Sequence, residues 1–295
     1  MNGIIIIYKP KGWTSHDIVA KVKKLTQEKV GHTGTLDPLA TGVLPLLIGK
    51  GTLCSKYLIN HDKKYKVTLK LGKKTSTGDG EGEIIEEQNV NEQILEQTNI
   101  EEALKKFIGE QEQIPPIYSA IKVKGKKLYE YARNNQEVKI EPRKITIYEI
   151  NLLKIDKSRK EIQFEVKCSK GTYIRSLCED IAKAIGTVGY MKELERTEVG
   201  DFKLEQSISI DDLVSISESD KNKIEEKIIG IEDLFNNLEN IELNKRKLQL
   251  FLNGVKLTVE NEPGLYRIYS NNIFIGIGIV KDQLLKRDII IKSVI

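Results

Sequence analysis

The sequence predicts a mixed α/β (α+β) protein with a small β-rich unit at its C-terminal end. Three observations support this expectation. Segments with period-two alternation, such as 63–71 and 161–168, read as half-buried strands. Between them lie segments with helical spacing and recognisable start signals. From about Asn236 onward the pattern turns to short strands bounded by turn residues. At 295 residues the chain is long enough for one large core and a smaller second one.

The elements justify this in order. Ile4 to Tyr8 is a short β-branched run stopped by Lys9-Pro-Lys-Gly12, which reads as a buried strand. Thr14-Ser-His-Asp17 has the spacing of a capping box, and Ile18, Val19, Val22 and Leu25 give the following helix one apolar face. Lys21, Lys23 and Lys24 fall on its wetter side. In the next strand Tyr65, Val67, Leu69 and Leu71 share a face, with Lys64, Lys66, Thr68 and Lys70 on the other. By pattern alone Tyr65 reads as a core cap. Residues 73–82 read as a polar, flexible loop in which Asp79 is either an anchor or part of a solvated turn.

A second capping box is expected at Thr98-Asn-Ile-Glu101, with Leu104, Phe107 and Ile108 inward and Gly109 ending the helix. Strands are expected at 144–148 and 161–168. A helix comes next, with Ile174, Leu177, Ile181 and Ile185 on one stripe and Gly186 as its stop. Leu194 reads as core. Asp211-Asp-Leu213 opens another short helix, and 215–227 reads as surface. A short helix over 244–254 precedes strands at 264–269 and 273–280. In the last of these Ile273, Ile275, Ile277 and Ile279 share a face and Gly276 and Gly278 the other, as in a tightly coiled small barrel.

Composition narrows the classes. No apolar run approaches the roughly 20 residues that cross a bilayer, so no membrane association is expected. No basic leader precedes Ile4, so that run is not read as a signal peptide, and the cytoplasm is the expected compartment. The three cysteines (Cys54, Cys168, Cys178) and three histidines (His16, His32, His61) lack metal-ligand spacing, so neither metal nor structural disulfide is expected. The net charge of +4 is mild. The local distribution is more telling. Residues 117–133 hold Lys122, Lys124, Lys126, Lys127 and Arg133 among three tyrosines, against one acid, Glu130. Basic residues interleaved with aromatics suit a segment that grips RNA.

The most informative stretch is Gly31-His-Thr-Gly-Thr-Leu-Asp-Pro-Leu-Ala-Thr-Gly42. Glycines bound it, Pro38 holds Asp37 extended, and the apolar run 43–48 comes directly after. Asp37 is the only acid between Glu28 and Asp62, although 31% of the chain is charged. A carboxylate isolated on a stiffened loop that leads into buried structure is a candidate catalytic group.

These twelve residues resemble the signature loop of the tRNA pseudouridine synthase B (TruB) family. The resemblance extends to Lys9-Pro-Lys-Gly-Trp-Thr-Ser15, to Tyr65, to Cys168-Ser-Lys-Gly-Thr-Tyr-Ile-Arg-Ser176, to the segment 190–202, and more weakly to the C-terminal part. It implies a pseudouridine-synthase fold with a central, mostly antiparallel sheet and a small β-barrel-like (PUA-like) domain. The domains implied are a catalytic one over 1–235, with an RNA-clamp insertion at about 113–140, and an RNA-binding one over 236–295. The implied reaction isomerises the uridine at tRNA position 55, in the T loop, with no cofactor and no metal, in a monomer that binds the T-arm stem-loop.

The resemblance also implies residue roles. Asp37 is catalytic, and it must be ionised, which a paired Arg175 favours. A cation in the first turn of a helix otherwise opposes the helix dipole, so Arg175 calls for a nearby carboxylate. His32, on the same loop as Asp37, stabilises the flipped state. Tyr65 stacks on the uracil and is a candidate general base, Tyr173 lines the pocket, and Leu194 lies under the base. Lys122, Lys124, Lys126, Lys127 and Arg133 form the clamp. Two other functions fit parts of the pattern: a tRNA-binding module without chemistry, and an N-glycosidase, which normally needs a second carboxylate.

Overall fold

The computed structural model describes residues 1–134 and 136–292. A ten-stranded sheet dominates. Its main path runs Ile208–Ser209, Gly3–Lys9, Thr41–Ile48, Gly189–Val199, Lys63–Leu71, Glu161–Cys168, Arg143–Asp156 and Gly109–Gln113. Most neighbours are antiparallel. Two pairs are parallel: the short Ile208–Ser209 strand on Gly3–Lys9, and Gly189–Val199 on Thr41–Ile48. The sheet is therefore mixed but mostly antiparallel, as expected.

Both faces of the sheet are covered. Ile4 and Ile6 pack on one side and Ile5 and Ile7 on the other, so the opening isoleucine run is buried throughout. The helix Ser15–Thr26 closes one side with Ile18 and Val22, and its capping box at Thr14 and Asp17 is formed. On the Lys63–Leu71 strand, Tyr65, Val67, Leu69 and Leu71 face a core shared with Ile174, Leu177 and Ile181 of the helix Ile174–Ile185.

Several elements depart from the sequence pattern. The third helix spans Gln97–Lys105, with Glu96 rather than Thr98 at its cap and no side-chain capping bond. Its inward residues are Ile100, Ala103 and Leu104, while Ile108 is exposed. Gly109 does not end it; three residues of turn intervene and Gly109 opens the edge strand Gly109–Gln113. Residues 73–82 are not all loop: the first three are strand and 76–82 form turns. Lys73–Thr75 pairs with Ile84–Glu87, and between them Asp79 is buried, accepting from Thr77 Oγ1 at 2.5 Å and from the Glu81 N–H at 3.1 Å. The stretch 215–227 is not wholly surface, because Ile224 is fully buried.

The C-terminal strands form a separate five-stranded sheet, ordered Asn240–Glu242, Gly264–Ser270, Ile273–Lys281, Leu284–Ile290 and Leu257–Thr258. The expected single isoleucine face is broken. Ile275 enters this sheet's own core with Ile268 and Phe251, whereas Ile277 packs with Phe274 and Ile289 against Ile4, Ile6 and Phe235. Ile273 and Ile279 are exposed. The register shift at Ile268/Tyr269, where Ile275 is the extra residue, accounts for the change, since one extra residue moves the rest of the strand to the other face. The strand therefore serves two cores at once, its own and the one shared with the large sheet.

Candidate active site

The loop over 33–40 is held by bonds from four directions. Ser15 Oγ accepts from the Leu36 N–H at 2.8 Å and donates to the Leu36 carbonyl at 3.2 Å. The Gly12 N–H donates to the Pro38 carbonyl at 2.8 Å. Lys9 is fully buried, and its ammonium donates to the carbonyls of Pro10, Trp13 and Pro38. Burial lowers its pKa to about 8, with the Asp37 charge acting the other way. Arg196, only 1% exposed, donates from Nε to the Val43 carbonyl at 2.8 Å and from Nη2 to Gly34 at 3.1 Å. Among the described residues neither Lys9 nor Arg196 has a carboxylate within 4.0 Å. These two buried cations fix the backbone on both sides of Asp37.

So held, the loop presents the Asp37 side chain at 39% exposure, with Oδ2 3.2 Å from Arg175 Nη2. Arg175 is 8% exposed and does more than face one acid. Its Nη1 lies 3.8 Å from Asp79 Oδ2 and donates to the Thr77 carbonyl, and Nη2 donates to the Tyr118 carbonyl at 3.0 Å. Two carboxylates and two carbonyls therefore fix one planar guanidinium, which sets the direction from which it meets Asp37.

Asp37 opens into a cleft of about 760 Å³. Of the sequence-predicted residues, Tyr65, Tyr173, Arg175 and Leu194 line it with Asp37. Leu194 stands opposite Val67 and is 8% exposed, so it belongs to both core and cleft. Burial pushes the Tyr65 phenol up to about 12, with the Arg196 guanidinium pulling the other way. Near neutral pH it is therefore a neutral ring, suited to stacking and a poor proton acceptor in the unliganded protein. Tyr173 is fixed by Gln113, whose side-chain carbonyl accepts from the Tyr173 N–H at 2.8 Å and whose amide donates to its carbonyl at 3.0 Å.

His32 is not on the loop proper. It ends the strand Val30–His32, paired to Leu46, and is not among the residues lining the cleft. The backbone ladder to Thr41–Ile48 claims it before the chain turns toward Asp37. Burial, then the Arg196 charge, holds its pKa below the usual imidazole value, so it is neutral at physiological pH.

The basic segment is a two-stranded hairpin, Lys122–Val123 with Lys126–Lys127, followed by the short helix Leu128–Arg133. Lys124 and Gly125 form its turn, both at positive φ (+49° and +85°). Lys122, Lys124, Lys126 and Arg133 are exposed, and none of the five clamp cations lines the cleft. Tyr118, Ser119, Ala120 and Tyr129 of the same segment do. Lys127 Nζ and the Arg133 guanidinium lie 5.3 and 5.4 Å from the centre of the Tyr129 ring. Asn135, inside the expected 113–140 insertion, lies outside the described residues.

Sequence reasoning missed Arg196 and Gln113, and it left both the part played by Lys9 and the direction of Asp79 open. Arg196 carries the loop yet sits in a period-two strand, where only an inward-facing arginine would have signalled it.

Comparison with known proteins bears on this geometry. The family model described as TruB family pseudouridylate synthase, N-terminal domain, matches residues 22–174, and the tRNA pseudouridylate synthase B C-terminal domain model matches 175–242. Their boundary falls between Tyr173 and Arg175, so both matched parts supply the cleft. The chain is similar to proteins named tRNA pseudouridine synthase B. One from Clostridium tetani is 43% identical over 94% of this chain and 95% of its own length. One from Staphylococcus saprophyticus is 45% identical over 86% and 85%. Among solved structures, a Cbf5–Nop10–Gar1 complex aligns with a TM-score of 0.68 at 28% identity, over 94% of this chain and 78% of that one. The chain belongs to the TruB family of pseudouridylate synthases.

Proposed function

We propose that this chain converts a uridine of tRNA to pseudouridine, and that the target is the uridine at position 55 of the T loop, presented on the T-arm stem-loop. One observation carries the reading. Among the described residues Asp37 is the single acid in the lining of a basic and aromatic cleft, partly exposed and 3.2 Å from Arg175. The name that the relatives share supports the substrate class.

In this reading the target nucleotide leaves its stack at a cost of about a few kcal/mol. Its uracil enters among Tyr65, Tyr173 and Leu194, and Tyr65 offers its ring as a stacking surface. The Asp37 carboxylate adds to the sugar–base unit or takes a proton from it, in a site shielded from bulk water. The C1′–N1 bond breaks with its electron pair on the base. The base turns, C5 bonds to C1′ as Asp37 gives back the bond or proton it took, and the proton that leaves C5 is matched by one that N1 takes up from water. Atoms and electrons balance without a redox partner, so the isomerisation asks for no cofactor. A glycosidase would use two carboxylates, and among the described residues the lining holds one. Residues 1–235 act as the catalytic unit, 113–140 as a clamp on the T arm, and 236–295 as an RNA-binding appendage.

Carbodiimide adducts mapped by primer extension on an unmodified tRNA transcript test the position. The expected result after incubation with the protein is one new stop, at position 55. Stops elsewhere would overturn the assigned position, and no stop would overturn the reaction.

A further inference from the structure

Six cations line the cleft: Lys63, Arg143, Lys144, Lys170, Arg175 and Arg196. Two are committed to the Asp37 loop, Arg175 between Asp37 and Asp79 and Arg196 on the loop carbonyls, while of the others Lys63 donates to the His61 carbonyl and Lys170 to the Asn60 side-chain carbonyl, both uncharged acceptors. The other four belong neither to the clamp segment nor to the C-terminal sheet. Among the described residues none of them has a carboxylate within 4.0 Å. The nearby acid Asp62 is not part of the lining, and it accepts from Tyr148 Oη at 3.3 Å.

Strand register brings these four together. Lys63 pairs with Cys168, and Cys168 pairs with Ile147 on its other side. Ser169 binds back to Thr146 through both its N–H and its hydroxyl, each at 2.9 Å. The start of one strand, the end of its neighbour and the start of a third therefore meet at one place, roughly 10 Å across. Arg143 and Lys144 arrive just before Thr146, and Lys170 just after Ser169. Arg143, Lys144 and Lys170 are exposed, and Lys63 lies buried behind them. Burial first, then the Arg196 charge, lowers the Lys63 pKa, and Lys170 adds to that repulsion.

A ring of like charges beside a pocket is unfavourable unless a polyanion completes it. From this we infer that Arg143, Lys144 and Lys170, backed by Lys63, form a phosphate-binding rim for the RNA backbone flanking the extruded nucleotide. The inference rests on the reading of the cleft as a uridine site. Extrusion turns a nucleotide about its backbone, so its two phosphates stay at the cleft mouth while the base goes in. The clamp lysines, none of which line the cleft, are left to hold RNA further out. The rim thus fixes the nucleotide that reacts, and the clamp fixes the arm that carries it.

The test measures binding of a T-arm stem-loop by the full-length protein from 50 to 300 mM salt. The rim variant carries R143S, K144S and K170S. The control carries K21S, K23S and K24S on the Ser15–Thr26 helix, which removes the same charge from a face outside the cleft. The rim variant is expected to bind about tenfold or more weakly at 0.15 M salt, and its slope of log affinity against log salt should fall by about 2 to 3. The control should keep the wild-type slope. A rim variant with the wild-type slope, or one equal to the control, would overturn the inference. Circular dichroism and the single change K144S guard against a folding defect, with K144S expected to lower the slope by about 0.7 to 0.9. Wild-type protein that binds the stem-loop but makes no pseudouridine would count against the enzyme and leave the rim standing.

Discussion

Asp37→Asn is expected to give a folded protein that still binds the T arm but makes pseudouridine at least about 10⁴-fold more slowly than wild type, as for loss of a group that attacks or deprotonates the substrate. The fold should survive because the loop does not depend on this carboxylate. Leu36, Pro38, Gly34 and Val43 are held through their backbones by Ser15, Gly12, Lys9 and Arg196. Nor does the substitution strand the guanidinium, since Arg175 keeps Asp79 and the carbonyls of Thr77 and Tyr118. Asparagine is nearly isosteric, so the change isolates the charge. Thermal unfolding and filter binding should match wild type while product formation disappears. Activity within tenfold of wild type would remove Asp37 from the chemistry.

Gly42→Ala is expected to destabilise the protein by about 3–5 kcal/mol, at the upper end for a single change. Gly42 sits at φ +105°, and a Cβ there would lie 2.2 Å from the Arg196 carbonyl oxygen and 2.8 Å from its nitrogen. Backbone atoms of a paired strand cannot move aside cheaply. The two strands must part where Gly42 faces Arg196, which also displaces the guanidinium from the Val43 and Gly34 carbonyls. Stability and catalytic geometry should therefore fall together. Gly12→Ala is the internal comparison, because it has φ +85° but nothing within 4 Å of an added Cβ. It should cost only the left-handed strain, about 1–2 kcal/mol. Urea unfolding of both variants checks the pair. A loss below about 1 kcal/mol for Gly42→Ala would mean that the two strands part easily there.

How much could be read in advance depends on how information lies along the chain. The Asp37 loop was legible because its glycines, proline and acid are contiguous, and the strand 63–71 because a period of two is a local property. Arg175 was legible as a cation in need of a carboxylate, although nothing local pointed to Asp79 as a second one. Arg196 was not. Its meaning lies in carbonyls 153 and 162 residues away, and in a strand an inward arginine looks like any other residue. Gln113 and Tyr173 are 60 residues apart and join only once the edge strand and the helix start are side by side. The isoleucine row at 273–279 failed for a different reason: bulges change the face without leaving a mark in the hydrophobic pattern. The helix start at Glu96 shows a third limit: the spacing at Thr98 fits a capping box, but Glu101 accepts instead from the Gln97 side-chain amide at 2.7 Å, one turn earlier.

The most direct measurement uses a T-arm stem-loop with tritium at C5 of the target uridine and follows both tritium release and free uracil. Isomerisation through Asp37 predicts that wild-type protein releases the tritium into water with no free uracil, and that Asp37→Asn releases none. Free uracil from the wild type would indicate hydrolysis, and no release by folded, RNA-binding wild-type protein would contradict the enzymatic account altogether.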